Sequence, residues 1–176
     1  MKMQTVILAG LLAIVGGTLA CTVPAWVNTV EADAQIAVPI AASLIEVIDP
    51  ARAPAVTLIV NGFNALLKTL DTYKASPTAT NLQAVQSAFA AVNANVAQLE
   101  GAAGVKNAAT ASTVTQVVAL LSQAVAEIAA MVPAPIAARA EMKVTVQAAP
   151  RNWKAKDFKK AFNAIAQQDR RLKKLN

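Results

Sequence analysis

Carboxylate pairs are the main source of acid–base chemistry open to this chain, because it contains no histidine and only one cysteine. The missing histidine removes the commonest general base, the usual activator of a nucleophile and the commonest metal ligand. Glu31 and Asp33 stand two residues apart in a helical pattern and so diverge. Glu46 and Asp49 stand three apart and could converge. They sit just before Pro50, however, where a solvated or turn-capping role fits better. No two carboxylates have helical spacing in the middle of a helix, as a di-metal bundle site requires. The run Gly101-Ala102-Ala103-Gly104-Val105-Lys106 lacks the length and the Ser/Thr of a phosphate-binding loop. These exclusions predict a protein that is not an enzyme, with no cofactor and no metal.

The remaining chemistry lies at the two ends. Lys2 follows Met1, the 18 residues Met3 to Ala20 carry no charge, and Val6 to Val15 is the most apolar stretch. Small residues follow (Gly16, Gly17, Thr18), then Leu19, Ala20 and Cys21. A positive start, an apolar centre and a small-residue end define a secretory signal peptide over residues 1–20. Thr18-Leu19-Ala20-Cys21 resembles a bacterial lipoprotein signal, with Thr18 where that family usually has leucine and Leu19 one place late. The resemblance implies lipidation of Cys21 and a membrane anchor on the exported side. Thr18-Leu19-Ala20 also fits an ordinary small-x-small cleavage site, which would give a secreted protein. The uncharged run is in addition long enough to remain as an uncleaved anchor, for which roughly 17–25 residues are needed. A lone cysteine leaves no intramolecular disulfide, so packing alone must hold the fold.

Charge is concentrated at the other end. Residues 21–150 hold eight acids and six bases, a net of −2; residues 151–176 hold nine bases and two acids, a net of +7. Such asymmetry points to an interaction tail rather than a basic fold. The pattern predicts a helix from Asn152 to Leu175, with Phe158, Phe162, Ile165 and Leu172 along one face. The cations crowd the other sides. The candidate contact residues are Trp153, Lys154, Lys156, Phe158, Lys159, Lys160, Phe162, Arg170, Arg171, Lys173 and Lys174. Aromatic residues on one face with Lys/Arg opposite suit a membrane surface or an acidic partner. In an exported protein that partner is anionic lipid, a cell-wall polymer or another envelope protein. The same pattern fits a fifth helix docked through Phe158, Phe162 and Ile165 with its lysines solvated. Nucleic acid is disfavoured, since export leads away from it and no recognition motif is present.

Between the ends, residues 21–135 read as helices joined by turns. Hydrophobic residues make up 56% of the chain but aromatics only 4%, and alanine supplies much of the difference. Alanine is the best helix former, and Ala-faced helices approach closely. Val30, Ala37, Ile40, Leu44 and Val47 form a first stripe, with Glu31, Asp33 and Gln35 mostly off it. Pro39 makes this either a kinked helix or two short ones. A second helix spans about Ala55 to Lys74, with Val56, Ile59, Val60, Phe63, Leu66, Leu67, Leu70 and Tyr73 inward and Gly62 marking a close approach. The third stripe is Leu82, Val85, Phe89, Val92, Val96 and Leu99; the fourth is Val114, Val117, Leu121, Ala124, Ile128 and Met131. Ser76-Pro77 or Thr80 to Gln83 would cap the third helix, and Thr113 to Gln116 the fourth. The two stripes superpose at an offset of 32 residues, as any two Ala-rich helices with the same heptad do.

These elements predict an all-α, antiparallel, Ala-rich bundle of about four helices, a linker at 136–150, and a C-terminal basic amphipathic helix at 151–176. Phe63 and Phe89 are its expected core anchors. The expected role is that of a non-catalytic scaffolding or partner-binding protein of the cell envelope, lipid-anchored or secreted. The alternative is a membrane-active protein whose amphipathic helices insert into or remodel a bilayer. A carrier for an apolar ligand is disfavoured, because the stripes offer no polar anchors.

Overall fold

The computed structural model describes residues 23–101, 108–133 and 152–176. The predicted signal segment 1–20, Cys21, the residues Gly104 to Lys106, the predicted linker 136–150 and Arg151 lie outside the described residues. Regular structure within the described residues is entirely helical. The helices are α1 (Ala25–Ser43), α2 (Ala53–Ala75), α3 (Ala79–Gly101), α4 (Ala108–Met131) and α5 (Ala155–Gln168), with 3-10 turns at Leu44–Glu46 and Pro50–Arg52. The all-α class read from periodicity is therefore the observed one.

α1 occupies the middle of the assembly, against α2, α4 and α5, while α3 packs on α2 and α4. That position follows from its buried set, Val27, Val30, Ala34, Ala37, Ile40 and Ala41. Three alanines let neighbouring backbones come close on a face wider than one stripe. Pro39 does not split the helix: α1 runs through it unbroken to Ser43. The ring removes one amide from the helical ladder, leaving the carbonyl of Gln35, an exposed residue, without its usual partner.

The turn after α1 forms as its composition dictates. Asp49 Oδ1 accepts a hydrogen bond from the Ala51 amide at 3.0 Å, and Pro50 opens the 3-10 turn that leads into α2. Glu46 is exposed, and Asp49 alone of the two is seen to cap the turn. On α2, Val56, Ile59, Phe63, Leu66, Leu70 and Tyr73 are buried, and Val60 and Leu67 are partly so.

Two predicted caps are corrected. α3 begins at Ala79, and Thr78 caps it by accepting from the Asn81 amide through Oγ1 at 3.2 Å. Ser76 instead accepts from the Asn81 side chain through its carbonyl, at 2.7 Å. α4 begins at Ala108, so Thr113 is not a cap but a buried residue one turn inside the helix. Alanine-rich sequence before Thr113 continues a helix at little cost, which moves the start upstream.

α2 and α3 meet closely at Gly62. A Cβ there would lie 3.0 Å from Val92 Cγ2, and the neighbouring Asn95 Nδ2 donates to the Leu58 carbonyl at 3.3 Å. The glycine therefore serves helix approach rather than a turn. Gly62→Val should destabilise the fold by about 1–3 kcal/mol, the usual cost of overpacking. Urea denaturation of the full chain checks it, and an unchanged midpoint would show that α3 can move aside.

The predicted stripes of α3 and α4 are buried, except that Leu82 and Met131 are only partly covered. α4 also buries Val118, Leu120, Val125, Ala126 and Glu127. It has neighbours on three sides, α1, α3 and α5, so a single heptad stripe underestimates its covered face.

Candidate functional site

The C-terminal basic segment is not a free arm. α5 lies in a seat made by α1 and α4, and Phe158, Phe162, Ile165 and Ala166 are buried there. Phe158 is 1% exposed and Phe162 not exposed at all. Trp153 is half-buried, with its ring centroid 5.2 Å from that of Phe158. The amphipathic pattern read as a contact face is thus divided. Its aromatic half belongs to the core, which takes Phe158 and Phe162 out of any surface in this conformation.

The cationic half faces out. Lys154, Lys156, Lys160, Arg170, Arg171, Lys173 and Lys174 are exposed and Lys159 is half-exposed. Lys156, Lys159, Lys160, Asn163, Ala164 and Gln167 line a shallow depression along this outer side. The spacing puts three ammonium groups within two helical turns, each turn rising about 5.4 Å.

α5 is shorter than the pattern suggested. It starts where the Asp157 carboxylate accepts from the Lys154 amide at 2.9 Å, and it ends at Gln168. Asp169 is extended, with φ −130 and ψ 109. Its carboxylate takes a hydrogen bond from the buried Thr113 hydroxyl of α4 at 3.1 Å, and Arg171 Nε donates to it at 2.9 Å. Arg171 above all, then its backbone amide and the Thr113 hydroxyl, hold the Asp169 carboxyl well below the usual carboxylate range despite some desolvation. The chain then turns and buries Leu172. Beyond it Asn163 clamps Leu175 twice, donating to its carbonyl at 3.0 Å and accepting from its amide at 2.8 Å. The last residues therefore lie back along α5, with Leu175 beside Asn163.

Beneath α5 is a feature that one-helix spacing could not reveal. Asp33 of α1 is only 1% exposed, and neither of its carboxylate oxygens has a hydrogen-bond partner among the described residues. Glu127 of α4 is also buried, and Gln123 Nε2 donates to its Oε1 at 3.1 Å. Burial raises the Asp33 carboxyl to a pKa of about 6, and the charge of Glu127 adds to the rise. The backbone amide of Ala155, at the start of α5, opposes it weakly and falls outside hydrogen-bond geometry. Glu31, two residues from Asp33, points elsewhere and pairs with Lys74 of α2 at 2.6 Å. The expected divergence of Glu31 and Asp33 is therefore observed, but Asp33 lies inside the core rather than off the stripe. The signal was present in its position three residues after Val30 and four before Ala37. Asp33 and Glu127 are both sealed from solvent.

The fold and this surface together define an all-helical, Ala-rich bundle that wears a docked cationic helix. No family model, curated protein or solved structure matches the chain.

Proposed function

We propose that the protein is a non-catalytic component of the cell envelope that binds an anionic partner through the outer face of its C-terminal helix. In this reading Cys21 carries a lipid anchor, or the chain is secreted after cleavage. The observation that carries it is the orientation of α5: its apolar side is occupied by the bundle, while Lys154, Lys156, Lys160, Lys173 and Lys174 remain exposed. An exposed cationic stripe on a rigid helix contributes about 1 kcal/mol per Lys near an anionic surface, and this attraction is screened by salt.

The test replaces Lys156, Lys160, Lys173 and Lys174 together by Glu in the full chain. Stability should change little, because each site is exposed and none holds an ion pair among the described residues. Cosedimentation with anionic vesicles and with isolated cell-wall polymer should weaken at least tenfold for the partner that is bound. Unchanged binding to every anionic partner would refute this role for α5.

A second reading rests on a separate observation. Residues Pro50–Ala75 and Ala111–Met131 are long and apolar enough to cross a membrane, although core helices pass the same test. A membrane-active protein would insert these helices and make anionic vesicles leak; intact vesicles would remove that reading.

A further inference from the structure

The seat of α5 contains a buried acid with no hydrogen-bond partner among the described residues, and it lies where three helices meet. Asp33 comes from α1, Glu127 from α4, and the Ala155 amide from the first turn of α5. Among the described residues, the charged groups around this junction are otherwise engaged or turned away. On α1, Glu31 is held by Lys74. On α4, Glu127 takes its hydrogen bond from Gln123. At the start of α5, Lys154 and Lys156 are exposed, and Asp157 is turned back onto the Lys154 amide. An ionised Asp33 thus faces a second acid, with only the weakly opposing Ala155 amide turned toward it, which is a costly arrangement for a core.

We propose that Asp33 and Glu127 form a proton-operated latch for the C-terminal helix, with α5 seated when Asp33 is protonated and loosened when it is ionised. Lifting α5 removes the cover over Asp33 and lets water solvate its carboxylate. Docking therefore takes up a proton, and by linkage the docking equilibrium depends on pH. The sign follows from which state holds more protons. The docked form keeps its proton up to pH of about 6, whereas a solvated aspartate loses it near its ordinary value of 3.8. Docking is therefore strongest in acid and weakens as pH rises through about 6. Between pH 5 and pH 8 the docking constant falls about tenfold. Release presents Phe158, Phe162 and Ile165 beside the lysines, so the latch decides whether the cationic helix shows one face or two. It operates whatever the outer lysines bind.

Hydrogen exchange of the full chain, read by segment and corrected for the intrinsic pH dependence of exchange, tests the latch. From pH 5 to pH 8, protection of residues 155–168 should drop about tenfold relative to that of α2 and α3. Asp33→Asn, which keeps the shape and removes the charge, should abolish this drop. Glu31→Gln, on the same helix but outside the seat, should retain it. Two results would overturn the proposal: α5 protection falling only in step with α2 and α3, or an undiminished drop in Asp33→Asn. Should Asp33→Asn fail to fold, the wild-type comparison of α5 with α2 and α3 decides by itself.

Discussion

Phe63→Ala is expected to lower the stability of the bundle by about 3–5 kcal/mol. Phe63 has no exposed surface and sits on α2 one turn from Ile59 and Leu66, which are also fully buried. The removed ring carries both its transfer free energy and the space it leaves. That space cannot close easily. α2 and α3 already touch at Gly62, next to Phe63, so they have little room to move together. The chain has only seven aromatic residues, so few side chains in it are large enough to fill the gap. Urea denaturation followed by helical circular dichroism measures the effect. A loss below about 1 kcal/mol would mean that the helices slide to refill the site, and that the close contact at Gly62 does not constrain them. Phe89→Ala on α3 should cost a similar amount, since Phe89 is also buried.

Asp33→Asn should have the opposite effect, and one that depends on pH. With a pKa of about 6 in the folded chain and an ordinary value of 3.8 once unfolded, the native state holds more protons across that interval. Stability contributed by the protonated acid is present in full below pH 4, is lost as pH rises through about 6, and is gone above pH 7. The gap of about two pH units corresponds to roughly 2–3 kcal/mol. The substituted amide is neutral throughout, so the variant should gain that much over wild type at pH 8 and close to nothing at pH 4. Thermal unfolding at the two pH values measures it. Equal stability of the two chains at pH 8 would show that the ionised carboxylate is solvated in the folded state. Asp169 works in the other direction: its depressed carboxyl gives the Thr113–Asp169–Arg171 contact a contribution that acid removes. Acid thus favours the seat of α5 at Asp33 and weakens its far end at Asp169.

Much of this architecture was legible in the order of residues, for a simple reason. A helix repeats every 3.6 residues, so the burial of Val56, Ile59, Phe63, Leu66 and Leu70 on α2 is written in their spacing. The same holds for Val85, Phe89, Val92 and Val96 on α3. Asp49 and Pro50 announce themselves because their backbone chemistry is local. Helix starts were less legible. The choice among Ser76, Thr78 and Thr80 turns on a difference of one turn, and alanine permits any of them.

The tail shows where local information stops. Its amphipathic pattern is equally that of a surface binder and of a docked helix, because Phe158 and Phe162 look the same facing lipid, a partner or a core. Sequence by itself determined the helical class, the stripes that pack, the absence of histidine chemistry and the concentration of positive charge in the last residues. Those depend on neighbours a few positions apart. Only the tertiary structure decided that α5 lies on α1 and α4, that Thr113 meets Asp169 across 56 positions, and that Asp33 and Glu127 share one buried junction. Such pairings join residues distant in the chain, and they exist only once separate helices have been brought into contact by burial of their apolar faces.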